Sequence, residues 1–149
     1  MKIISKVFVL CIILMASYHT NAQVTISSKP SLFNNFSANI STAVNELDKA
    51  FLGAEGSSIQ FNFANNFSFA GTVFSSVQRY SNLSSVIIKL PSLQNSLLSI
   101  SKRINDDNTI TYVGRIINEK YADGYELKKD NYGNYTFNKI KTEDLIQDF

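Results

Sequence analysis

The apolar positions Ile40, Val44, Leu47 and Phe51 recur at steps of four, three and four, a spacing that lines one stripe of a helix. Asn45, Glu46, Asp48 and Lys49 fall on the far face, as a solvated side should. Ser41 or Thr42 can cap the start by accepting a backbone N–H, and Gly53 can end the turn in the left-handed conformation. The spacing predicts an amphipathic helix over 40–53. After Gly56 the period drops to two. Ile59, Phe61 and Phe63 alternate with Gln60 and Asn62, and Phe67 and Phe69 flank Ser68 beyond Ala64-Asn65-Asn66. A three-residue loop sets Phe63 opposite Phe67 and Phe61 opposite Phe69, which keeps every aromatic on one face.

The same logic gives two further hairpins. Leu98, Ile100 and Ile104 face Ile116, Gly114 and Ile110 around Asp106-Asp107-Asn108, a register that sets Lys102 against Tyr112 on the apolar face. Lys102 then snorkels outward from the edge of that face, or the register slips there. Tyr125 pairs with Phe137 and Leu127 with Tyr135 around Asp130-Asn131-Tyr132, with Gly133 absorbing a bulge. Val86 to Leu90 forms a further strand that Pro91 stops. At the end, Thr142 caps a short helix with Glu143 and Asp144 in its first turn and Leu145, Ile146 and Phe149 inward. The predicted class is α+β: an N-terminal amphipathic helix packed on an antiparallel β-meander of about six to eight strands, with a short C-terminal helix.

Ahead of these elements, Lys2 and Lys6 precede the ten-residue apolar run Val7–Ala16, about half what a spanning helix needs. Thr20 and Ala22 supply small residues before Gln23. Residues 1–22 read as a cleavable signal peptide, 23–39 as a tether with one short strand at Val24–Ile26, and 40–149 as a single α+β domain. The Ala22-Gln23 junction is similar to the signal peptides of Bacteroidota and implies a periplasmic or secreted mature chain with no stable membrane anchor.

Removing that segment also removes Cys11 and His19, the chain's single cysteine and single histidine. A mature chain without either has no disulfide, no cysteine nucleophile and no imidazole base, which excludes most secreted hydrolases. Transition-metal sites lose their preferred ligands as well. No glycine-rich phosphate motif occurs. Once Lys2 and Lys6 are gone, the 14 basic residues fall to parity with the 12 acidic ones, and nothing points to a nucleic-acid partner. No cofactor or metal is expected, and no enzyme activity. The carboxylate candidates are Asp106-Asp107 in one loop and Asp123 with Glu126 in another, but Asp106-Asp107-Asn108 and Asp123-Gly124 read as turn chemistry, not as paired catalytic groups. The Asp- and Asn-rich loops lack the spacing and terminal glutamate of a calcium-binding EF-hand. The Asn-x-Ser/Thr triplets at Asn35, Asn39, Asn66, Asn82 and Asn134 arise by chance in a chain rich in Asn and Ser.

Tyrosines concentrate in the last third. Tyr125 and Tyr135 belong to the core face, whereas Tyr112, Tyr121 and Tyr132, together with Arg115, are the candidate ligand-binding residues. In outline, one helix followed by an antiparallel meander resembles the cystatin-like folds, which implies an exported inhibitor or binding module. The expected function is an exported, non-enzymatic module that binds a protein or a glycan. A small β-barrel carrying an apolar ligand is the alternative, and a carboxylate-dependent glycosidase ranks last.

Overall fold

The computed structural model describes residues 29–64 and 67–146. The signal peptide expected at 1–22, the strand at Val24–Ile26, and Asn65, Asn66 and Phe149 lie outside the described residues. Within them, eight strands form one antiparallel sheet. They are β1 (Asn39–Thr42), β2 (Ser58–Asn62), β3 (Ser68–Tyr80), β4 (Leu83–Leu90), β5 (Ser96–Ile104), β6 (Ile110–Ile117), β7 (Asp123–Lys129) and β8 (Tyr135–Lys141). One helix, α1 (Val44–Lys49), separates β1 from β2. The order β1-β8-β7-β6-β5-β4-β3-β2 is a plain meander from β2 onward, with β1 added beside the last strand. The sheet is rolled into a half-barrel, and the Ala64 N–H just past β2 donates to the Ser41 carbonyl of β1 at 3.0 Å.

This corrects the α+β expectation. Among the described residues the fold is mostly antiparallel β-sheet with one short α-helix, and no helical layer covers the sheet. Residues 40–53 do not form one helix, because Ile40 and Thr42 pair in β1 with Phe137 and Tyr135 of β8. A ladder to two buried aromatics outweighs the weak helix preference of a stretch rich in Asn, Ser and Thr. Ala43 occupies the N-cap position with no side-chain cap, and the helix ends at Ala50, before Gly53. Six residues cannot hold a helix by propensity alone. Tertiary contacts hold this one: Leu47 is fully buried, and Asp48, expected to face solvent, accepts from Lys102 Nζ and Tyr112 Oη at 2.6 Å each. The C-terminal helix is likewise a 3-10 turn, Thr142–Ile146, and the Thr142 hydroxyl donates to the Tyr121 carbonyl instead of capping it.

Two hairpins have the predicted register. Phe61 faces Phe69, and the Phe63 N–H donates to the Phe67 carbonyl at 3.0 Å. Leu98 faces Ile116, Ile100 faces Gly114, Ile104 faces Ile110 and Lys102 faces Tyr112, so there is no slip at Lys102. The third is offset by two residues: Tyr125 pairs with Lys139, Leu127 with Phe137 and Lys129 with Tyr135. The loop is longer than expected because the Asp130 carboxylate accepts from the backbone N–H of Tyr132 and of Asn134 at 2.8 Å each, and Gly133 takes φ 89°. An offset of two leaves every side chain on its original face.

Aromatic rings fill the inside of the roll. Phe33, Phe61, Phe63, Phe67, Phe69, Tyr125 and Phe137 form a connected set with centroids 5.0–5.7 Å apart, and Tyr112 meets Tyr135 edge-on at 5.5 Å. Each such ring contributes about 1.5–3 kcal/mol by leaving water. Residues 30–38 run over the β7 and β8 side. Phe33 enters the core, its N–H and that of Leu32 donate to the Asp123 carboxylate at 2.9 and 2.6 Å, and Tyr125 Oη donates to the Ser37 carbonyl at 2.6 Å. Lys139 Nζ donates to the carbonyls of Phe33 and Phe36 at 2.8 and 2.9 Å.

β3 outruns its neighbour, since β2 pairs only with Ser68–Thr72. The loop before β2 covers the next stretch of edge, ending where Glu55 Oε1 accepts the Ser76 N–H at 3.0 Å. Past that point the strand forms an exposed lip ending at Tyr80, 70% accessible, and the Phe74 ring just before the lip is also open to solvent.

Candidate functional site

Side chains on the outer face alternate with the core positions, so Ser99 and Ser101 of β5, Val113 and Arg115 of β6, and Glu126 and Lys128 of β7 all point away from the aromatic interior. β5 and β6 pair continuously over eight positions, whereas β6 and β7 pair only at Arg115–Glu126 and Ile116–Tyr125. There Gly124 allows the close approach, since a Cβ on it would sit 2.6 Å from the Ile116 carbonyl oxygen. Beyond Glu126 the ladder stops. The Tyr112 N–H is taken by the hydroxyl of Tyr135, a β8 residue, at 3.0 Å.

The break leaves a groove of about 500 Å³ on the outer surface. It is lined by Ser99 and Ser101, by β6 from Thr111 to Arg115, and by β7 from Glu126 to Lys129. Arg115 donates to Glu126 Oε1 at 3.0 Å and Lys128 forms an ion pair with Oε2, so two cations share one carboxylate. The hydrogen bonds from Lys128 and Arg115 hold Glu126 below the usual carboxylate range against its partial burial. Lys129 Nζ lies 5.8 Å from the Tyr135 ring centre. Val113, 59% exposed, is the apolar wall. Ser101 Oγ shares a hydrogen bond with Ser85 Oγ at 2.8 Å.

Of the four residues singled out in the sequence, Arg115 and Tyr112 both border this groove, in different ways. Arg115 offers its guanidinium. Tyr112 offers only backbone, since its ring is buried and its hydroxyl is committed to Asp48. Burial, followed by the Asp48 carboxylate, pushes the Tyr112 phenol well above its ordinary range. Tyr121 lies half-buried in the β6–β7 connection, where its carbonyl receives Thr142, and Tyr132 stands 92% exposed at the β7–β8 tip. The groove lining includes neither of them. Lys128 and Ser101 carry no sequence signal beyond period-two alternation, and Glu126 stands out only as a carboxylate near Asp123; alternation places all three on the polar face.

The carboxylates weighed as catalytic pairs are dispersed. Asp107 accepts from the backbone and hydroxyl of Thr109 within its own turn, where Asn108 takes φ 63°, as turn chemistry requires. Asp123 is a correction: it opens β7 instead of sitting in a turn, and it is buried under the backbone of Leu32 and Phe33. Its spacing gave a usable signal, because Asp123, Tyr125 and Leu127 share one face of a strand. Among the described residues no cluster of three or more His, Cys, Asp or Glu is arranged to hold a metal ion, and no helix is long and apolar enough to cross a membrane. Comparison of the chain with family models, curated proteins and solved structures yields no match.

Proposed function

We propose that this protein is a non-enzymatic binding module, exported to the periplasm or beyond, whose ligand lies in the outer groove between β6 and β7. The observation that carries the reading is the two-pair ladder, which opens the sheet where hydroxyls, charges and one apolar wall converge. Binding sites combine such a concavity with a few fixed polar groups. The rings in mutual contact through the interior favour an outer site over an enclosed one for an apolar ligand.

The test is amide NMR of the protein during titration with a panel of peptides and oligosaccharides. Shift changes confined to 99–101, 111–115 and 126–129, and abolished by Ser101→Trp, support the reading. Changes centred on Phe61, Phe63 and Tyr125 would replace it with an internal carrier site.

A further inference from the structure

We infer, resting on that groove, that its ligand is an acidic, extended segment of a protein partner, laid along β6 with its carboxylates on Arg115 and Lys128. Three observations converge on this chemistry. The first is shape. The groove runs between two strands of one sheet, along β6 from Thr111 to Arg115, and is open because the ladder that should fill it is missing. Five strand residues span roughly 16 Å, the length of about five residues of extended peptide. Tyr135 already holds the Tyr112 N–H, so an extended segment here is held by the side chains that line the groove and not by a new ladder.

The second is charge. Arg115, Lys128 and Lys129 line the groove against a single acid, Glu126. Arg115 and Lys128 already converge on that carboxylate, a geometry that can accept a second one from outside. Asp107 acts on Lys129 from the neighbouring hairpin tip, so the surplus is centred on Arg115 and Lys128. The third is the lining itself. Val113 presents an exposed apolar side chain between hydroxyls, which suits a segment that alternates acidic and apolar residues. A sugar ring would instead want an aromatic face to stack on. The one aromatic at the groove, Tyr112, turns its ring into the core.

Glu126 therefore acts as an internal competitor for the ligand. Glu126→Gln keeps the shape and releases both cations, and it should tighten acidic-peptide binding, whereas Arg115→Gln and Lys128→Gln should weaken it. Each change is expected at about three- to five-fold, the size of one exposed ion pair.

The measurement is fluorescence anisotropy with a labelled, end-blocked octapeptide of alternating Asp and Val. Its comparators are the Lys-Val and Ser-Val octapeptides and an oligogalacturonate, and circular dichroism checks the fold of every variant. Saturable binding of the Asp-Val peptide that weakens with added salt and tightens in Glu126→Gln supports the inference. Equal binding of Ser-Val, no binding by any probe, or no effect of Glu126→Gln overturns it. Binding of the oligogalacturonate without the Asp-Val peptide removes the peptide and leaves the groove standing. Asp-Val binding that Ser101→Trp leaves unchanged removes the groove reading itself.

Discussion

Replacing Asp123 by Asn should unfasten residues 30–38 from the sheet with almost no change in volume. The carboxylate accepts the N–H groups of Leu32 and Phe33, and the residue is buried. Hydrogen bonds to a charged acceptor contribute about 1.5–3 kcal/mol each. Asparagine retains one carbonyl oxygen and turns an NH₂ toward the other donor, so one bond is lost and one backbone N–H is left buried without a partner. The expected cost is about 2–4 kcal/mol, read as a fall in the urea midpoint with the m-value nearly constant. Phe33→Ala should cost about 3–5 kcal/mol, because the ring is fully buried against Tyr125 at 5.0 Å. If Asp123 acts by seating Phe33, the double variant must lose less than the two singles together, by about 1 kcal/mol or more. Strict additivity, or a loss under about 0.5 kcal/mol for Asp123→Asn, would refute this account of Asp123.

Other outcomes follow from the same geometry. Gly124→Ala places a methyl against the Ile116 carbonyl oxygen and should destabilise by about 1–3 kcal/mol, measured by thermal unfolding, because that oxygen belongs to backbone that cannot swing aside. At alkaline pH, burial followed by the Asp123 charge pushes Tyr125 up to about 12, above the unfolded value of 10.0. The folded state therefore favours the protonated phenol, and stability should be intact below pH 10 and lost as pH rises from 10 through about 12, checked by tyrosinate absorbance alongside circular dichroism. At acid pH the sign is reversed. Burial opposes ionisation of Asp48, but the hydrogen bonds from Lys102 and Tyr112 outweigh it and lower its pKa. The stability it contributes is present above the unfolded value of 3.8 and should fade as pH falls below it, and Asp48→Asn should flatten that part of the profile. Glu55→Ala should speed amide exchange at Ser76, whose N–H it holds, and leave Phe61 and Phe69 in the paired β2–β3 region unaffected.

What the sequence could reveal depended on how local the deciding interaction was. The Phe61–Phe69 and Leu98–Ile116 pairings were readable because loop length and the need to keep apolar side chains on one face admit few registers. The third hairpin shows the limit of that argument. Registers two residues apart bury the same side chains, and a carboxylate folding back on its own loop chose between them. Residues 40–53 failed for a different reason: Ile40 and Thr42 satisfy period two as well as Ile40 and Val44 satisfy the helical period, and the partner that decides lies on β8. The groove was half visible. Arg115 was singled out as a candidate ligand-binding residue, but the opening beside it depends on where β7 leaves β6 and on Tyr135 taking the Tyr112 N–H, neither of which leaves a mark in adjacent residues.

The pairing of β1 with β8 joins residue 39 to residue 138 and so ties one end of the domain to the other. Each hairpin of the meander can zip up as soon as its own two strands exist, at small entropic cost. The final seam waits for the last strand, and closing so long a loop slows folding far more than it weakens the finished molecule. During synthesis, the chain therefore passes through a long interval in which β1 has no partner and Phe33 has neither Tyr125 nor Asp123 to receive it. A nascent chain in that condition stays open to whatever holds or threads it, and the sheet gains its last pairing only once β8, which ends at Lys141, has been added.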